Sequence, residues 1–111
     1  MFKNPFSRSA PSTDVGFEDL TGAVQANEVA VVDVREPHEF AAGHIAGATN
    51  LPLSRFDPRA LPTGKPVVLI CQAGGRSRNA LNQAHAAGRD DVKHYPGGMS
   101  GWRAEGGDVT A

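Results

Sequence analysis

The sequence predicts an α/β domain built on a mainly parallel sheet. Two observations carry that prediction. "VAVVDV" (Val29–Val34) and "PVVLIC" (Pro66–Cys71) are valine-rich runs with almost no polar interruption, the pattern of strands covered on both faces. Around them lie segments with helical spacing, punctuated by glycine and proline, and such alternation favours parallel strands joined by crossover helices.

Taken in order, the Pro/Ser/Asn-rich stretch of residues 1–11 reads as a loose arm. A short strand-like piece follows near Thr13–Val15. Phe17, Leu20 and Val24 fall on one helical face, with Asp14 upstream as a candidate cap. After the Val29–Val34 strand, Pro37–Ala42 suits a short helix, because proline is favoured in a first turn and Gly43 is a natural stop. "GATNLPL" reads as another strand, and Ser54–Lys65 as an irregular connection marked by prolines. The Pro66–Cys71 strand leads into a helix over Ser77–Ala87, closed by Gly88. "VKHY" is then a short strand, and "GGMSGWRAEGG" supplies a final helical turn or two around Met99 and Trp102. With the piece near Thr13–Val15, about five strands result.

The chain has 111 residues, 40% hydrophobic and 21% charged. A domain of that length buries roughly two-thirds of its unfolded surface and needs no staples. The net charge of -1 gives no electrostatic case for binding nucleic acid or an anionic membrane. A single cysteine excludes an internal disulfide and a multi-thiolate metal cluster. The start lacks the apolar core of a signal peptide, and no run approaches membrane-spanning length, so a cytoplasmic protein is the default expectation.

That single cysteine stands where chemistry is expected. Cys71 closes an apolar strand, at the end where ligands gather in open α/β sheets. Gln72-Ala73-Gly74-Gly75-Arg76 leaves a tight loop before the next helix. Two glycines allow successive N–H groups to turn inward, and such a nest above a helix start attracts anions. The nearest candidate anion is the Cys71 sulfur. Arg76 adds a permanent charge on the rim, and Ser77 can support the loop or cap the helix. Each effect favours thiolate over thiol, so the Cys71 pKa is expected below the free value of about 8.5.

Four stretches together resemble the rhodanese-like sulfurtransferases in their single-domain form: "VVDVREPHEF" (Val31–Phe40), "GHIAGATN" (Gly43–Asn50), "CQAGGRS" (Cys71–Ser77) and "YPGGMSGW" (Tyr95–Trp102). The resemblance runs from about Ser12 to Gly107, leaving 108–111 as a C-terminal tail. It implies a central five-stranded, mainly parallel sheet with helices on both faces. It also implies covalent catalysis without a cofactor. Cys71 would take a sulfane sulfur from a donor such as thiosulfate, carry it as a persulfide, and yield it to a thiol or cyanide. Gln72, Ala73, Gly74, Gly75, Arg76 and Ser77 would bind substrate, with Arg76 holding the donor's anionic group. Asp33 and Arg35 would support the site, first as a buried salt link shaping the domain. Arg35 can also meet Glu39, four positions on. With no second cysteine in the chain, the sulfur must go to an outside acceptor, either a small molecule or a thioredoxin-like or other sulfur-accepting protein.

Loop length separates the rivals. Four residues lie between Cys71 and Arg76, whereas cysteine-dependent phosphatases of this fold carry one more. An extra residue adds an N–H and up to about 3.5 Å of contour, which suits a tetrahedral phosphate better than one sulfur atom. An arsenate reductase, or a sulfur-relay module that works only with a partner protein, are the other readings. His44, in "GHIAGA", is expected to fix a turn. His38, His44, His85 and His94 show no metal-ligand spacing, so no metal site is expected. Arg78 either adds positive potential at the mouth or faces solvent. Trp102 is assigned to the core and Gly97-Gly98 to a sharp turn. Ala73, where relatives carry a polar residue, removes one side-chain bond to substrate; His85 puts a polar group where an apolar helix residue belongs.

Overall fold

The computed structural model describes residues 12–111; the arm expected over 1–11 lies outside them. In chain order the elements are α1 (Phe17–Gln25), β1 (Ala30–Asp33), α2 (Pro37–Ala41), β2 (Thr49–Asn50), two 3-10 turns (Leu53–Arg55 and Pro58–Ala60), β3 (Val67–Ile70), α3 (Gly75–Ala86), β4 (Val92–His94) and α4 (Gly98–Ala104). The strands form one parallel sheet in the order β2-β1-β3-β4. The sheet therefore has four strands, not five. The expected fifth shrinks to a single parallel bridge between Asp14 and His94, where Val15 N donates to His94 O and His94 N to Thr13 O, both at 2.9 Å. Gly16 ends that extension at once, because it is the N-cap of α1. Asp14 thus serves the edge of the sheet instead of the helix.

Side chains alternate across the sheet, and each face has its own cover. Val31, Val68 and Ile70 point to the side where Leu20 and Ala23 of α1 and Met99 and Trp102 of α4 pack. Val32, Val67, Leu69 and Cys71 point to the other, against Ala80, Leu81 and Ala84 of α3. Both faces are apolar, which is why β1 and β3 read as continuous runs rather than as alternations. Residue parity along β3 thus fixes the side on which the cysteine lies: the face of α3, whose N-terminus follows it.

Two polar side chains hold irregular chain near the carboxyl ends of the strands. Buried Arg35 donates to both carboxylate oxygens of Asp33, the shortest contact being 2.7 Å, and to the Gly43 carbonyl at 2.7 Å. Asn50 Nδ2 donates to the main-chain oxygens of Asp33 and Arg35 at 3.0 and 2.8 Å. These bonds fix the path from β1 into α2, which is capped by a reciprocal box between Glu36 and Glu39. His44 Nδ1 donates to the Phe40 carbonyl at 2.8 Å and its ring stacks on Phe40, fixing the turn after α2. Beyond α4, Thr110 pairs with His44 through two main-chain bonds of 2.7 and 2.8 Å. No described helix is long and apolar enough to cross a membrane.

Candidate active site

The Cys71 Sγ is the focus of the loop that follows β3. Gly74 N donates to it at 3.1 Å and Ser77 N at 3.3 Å, and the Ser77 hydroxyl lies 3.5 Å away. This convergence requires Gly74 to adopt φ +100°, a conformation that strains any side chain. There is also no room for one: a Cβ on Gly74 would lie 2.5 Å from the Pro96 carbonyl oxygen. Helix α3 starts at Gly75, earlier than the expected Ser77, so the helix's first turn is itself part of the cradle. The free Ser77 N–H of that turn faces the sulfur and favours negative charge there.

Burial pushes the Cys71 thiol up, because a thiolate loses water. The Ser77 hydroxyl and the N–H groups of Ser77, Gly74 and Ala73 outweigh that penalty and hold the pKa below its usual value. Cys71 is only 1% exposed, deeper than a thiolate on an open rim. Its flanking residues Ala73 and Gly75 are exposed. A donor must therefore reach the sulfur past the rim of the loop.

Gln72 turns to α4, where its Nε2 donates to Ser100 Oγ at 2.9 Å. The main chain does the same: Met99 N donates to Cys71 O at 2.8 Å and Ser100 N to Gln72 O at 3.1 Å. Gly98, at φ +64°, makes that docking fit, since a Cβ there would strike the Gln72 carbonyl. The glycine pair of "YPGGMSGW" thus shapes the active loop from behind.

The sequence pairs Glu39 with Arg35, and the structure pairs it with Arg76. Arg76 donates Nη1 to Glu39 Oε1 at 2.6 Å and Nη2 to Oε2 at 2.9 Å. This two-pronged bond holds the Glu39 carboxyl down at about 2 against the opposing effect of burial, with help from the Glu36 N–H and Arg76's charge. Arg35 is already engaged by Asp33 and Gly43, which leaves Glu39 free to cross to the loop. Arg76 is consequently not an unattached cation on the rim. Arg78 pairs with Asp14 at 3.0 Å instead of facing the mouth alone.

Sequence reasoning missed His94. It is 1% exposed, and its Nδ1 lies 2.9 Å from the Ser77 hydroxyl. The available signal was its position in "VKHY": a histidine inside a strand covered on both faces must meet a polar group. His85, the other unexplained histidine, donates Nε2 to the Val92 carbonyl at 2.8 Å and ties α3 to β4.

With this geometry in place, the comparisons with known proteins fall into line. The family model described as "Rhodanese-like domain" matches residues 17–105. The chain belongs to the rhodanese-like family. A rhodanese-related protein from Thermoplasma volcanium, of known structure, superposes with a TM-score of 0.79 at 31% identity, covering 87% of this chain and 96% of that one. The thiosulfate sulfurtransferase GlpE of Shewanella oneidensis is 37% identical over 75% of this chain and 84% of its own length. An uncharacterized protein of Synechocystis is 48% identical over 74% of this chain but only 47% of its own. The chain thus spans about half the length of that relative. In this rhodanese-like domain the chain's one cysteine lies at the focus of the loop between β3 and α3. A cavity of about 210 Å³ beside α1 and α4, lined by Phe17, Val24 and Trp102 among others, contains none of the loop residues.

Proposed function

We propose that this domain is a sulfurtransferase that carries a sulfane sulfur on Cys71. The observation that carries the reading is the convergence of Gly74 N, Ser77 N and the Ser77 hydroxyl on one sulfur atom. A nucleophile needs its anion in advance, and such a cradle supplies it. The Cys71 thiolate attacks the outer sulfur of a donor such as thiosulfate. A new S–S bond forms on Cys71, and sulfite leaves with the electron pair of the old one. An acceptor, cyanide or a thiolate, then attacks the outer persulfide sulfur, and Cys71 departs as the thiolate it began as. No cofactor enters either step.

In this reading the donor's anionic end meets Arg76, competing with or sharing it beside Glu39. Gln72, Ala73 and Gly75 frame the mouth with main-chain groups. Asp33 and Arg35 act from below by holding the chain that delivers Glu39. The partners are small molecules or a thioredoxin-like protein; nucleic acid and membrane have no role, and a cytoplasmic site suits a chemistry that uses a reduced thiol.

Mixing the protein with thiosulfate and weighing it intact tests the reading. A gain of one sulfur atom, reversed by a reductant and lost in Cys71→Ser, is the expected result. No adduct with any of several sulfane donors rejects it.

The depth of Cys71 favours one second reading, a sulfur relay opened by a partner. That version predicts slow thiosulfate:cyanide turnover beside fast loading from a protein persulfide. Greater activity on arsenate or an aryl phosphate would displace both, and the short loop argues against it.

A further inference from the structure

Behind the sulfur cradle the polar groups continue in a line, through His94 and Asp14, that the sulfur-transfer reading does not use. From Cys71 Sγ the Ser77 hydroxyl is 3.5 Å away, and from that hydroxyl His94 Nδ1 is 2.9 Å away. On the far side of the ring, His94 Nε2 lies 3.2 Å from Asp14 Oδ1. That approach is off the line of a hydrogen bond, and Nε2 has no other partner among the described residues although it is buried. Four groups from four places in the chain therefore stand in a row: the end of β3, the first turn of α3, the end of β4, and the segment before α1.

The hydroxyl can point only one way at a time. When Cys71 is a thiol, its S–H donates to Ser77 Oγ and the Ser77 O–H donates to a bare Nδ1. The Gly74 carbonyl, 3.2 Å from Ser77 Oγ, is a further acceptor, but when Cys71 is a thiolate the anion is the stronger acceptor and the Ser77 O–H turns to it. Nδ1 then has to be the donor, so it must carry a proton. One way is to strip Nε2, leaving a lone pair facing the Asp14 carboxylate, which is repulsive. The other is to protonate the ring, leaving an Nε2–H facing that carboxylate, which is attractive.

We propose that His94 is a positioning residue that takes up the Cys71 proton through the Ser77 hydroxyl, with Asp14 holding the resulting imidazolium. The step balances: the S–H bond breaks, Ser77 gains that proton as it passes its own to Nδ1, and a neutral pair becomes a thiolate and an imidazolium. This deepens the sulfur-transfer reading and rests on it.

The groups facing the ring fix its resting state. Asp14 approaches Nε2, Arg78 from α3 bonds Asp14, and Ser77 meets Nδ1 with Cys71 behind it. Burial lowers the His94 pKa, Arg78 lowers it further, and Asp14 opposes both. The ring is accordingly neutral while Cys71 is a thiol, which leaves it free to accept.

Coupled sites report on each other, and the coupling is reciprocal. NMR of the His94 ring nitrogens across pH, in the wild type, Cys71→Ser and Asp14→Asn, tests the link, alongside thiolate absorbance in the wild type and His94→Asn. The expected result is a His94 midpoint lower by about one pH unit in Cys71→Ser, since the thiolate that favours the imidazolium is gone. Asp14→Asn lowers it too, and His94→Asn raises the thiolate midpoint by a like amount, a tenfold loss of thiolate at fixed pH below it. A hydrogen bond that merely shapes the loop would leave the His94 titration in Cys71→Ser unmoved, and that result overturns the proposal even if His94→Asn fails to fold. A wild-type protein with no thiolate below the free-thiol range removes both this proposal and the sulfur-transfer reading. A thiolate present with an indifferent His94 removes this proposal alone.

Discussion

At Cys71 two effects of opposite sign act on a single atom. Burial removes water from the thiolate, and donors aimed from one short loop replace it. The donors win because they are fixed before the charge appears, whereas water would have to be reorganised around it. The Ser77 hydroxyl is the strongest of them in its effect on the sulfur. In Ser77→Ala the main-chain N–H groups remain, so the thiolate weakens without vanishing. The expected outcome is a midpoint for iodoacetamide alkylation raised by about one pH unit relative to the wild type, worth about 1.4 kcal/mol. The wild-type midpoint itself falls below that of a free thiol. The sign follows from the folded-state shift: a depressed thiol pKa means the anion is favoured in the native loop, so unfolding in denaturant moves the midpoint upward. At this scale the sequence was most informative. Cysteine, paired glycines, arginine and serine at fixed offsets dictate the cradle with no knowledge of the rest of the chain. What it could not dictate was the depth of the sulfur, since that is set by residues far away in sequence.

At the level of elements, the site is a junction. Helix α2 delivers Glu39 to Arg76, and α4 presses its first N–H groups on the loop carbonyls. Gly98→Ala places a side chain at φ +64° against the Gln72 carbonyl. The strain and the collision together are expected to cost about 2 kcal/mol or more, read as a shift in the denaturation midpoint, and to loosen the cradle by withdrawing α4. The Glu39–Arg76 bond makes a separate, pH-dependent contribution. The Glu39 carboxyl is lowered to about 2 from an ordinary value near 4.5. Its stabilisation is therefore complete above the unfolded value and is lost as pH falls from there through about 2. Partial exposure limits it to about 1 kcal/mol. Glu39→Gln should flatten that part of the acid limb in a urea titration, and an unchanged limb would show that the pair carries no net stability. Local pattern misassigned this acid because Arg35 and Glu39 have good helical spacing. Asp33, two residues before Arg35, competes for the same guanidinium from a buried and rigid strand, and it prevails. The missing fifth strand has a similar origin: the three residues Thr13–Val15 offer pairing, but Gly16 turns the chain into α1 after one bridge.

Over the whole molecule, the sheet separates the chemistry from much of the core. Cys71 packs with the α3 face, while Leu20, Met99 and Trp102 fill the opposite one. This layering was readable from the sequence, since unbroken valine runs can only serve strands with two covered faces. The contact between His94 and Asp14 was not, because it joins chain segments eighty residues apart through one edge bridge. The layering also makes a claim about independence. Every donor to the sulfur comes from residues 73–77, so the cradle's electrostatics belong to that short stretch and not to the core at large. Leu20 is fully buried on the far face. Leu20→Ala removes about three heavy atoms of packing there and leaves a cavity, at a cost of about 2–5 kcal/mol. Sites without shared partners combine additively. Leu20→Ala should therefore lower the urea midpoint substantially while leaving the alkylation midpoint of Cys71 within about 0.3 pH units of the wild type, provided both are measured where the variant is folded. A larger shift would mean that core packing on the α1 face sets the aim of the loop's amides, and the cradle would then be a property of the whole fold rather than of the stretch 73–77.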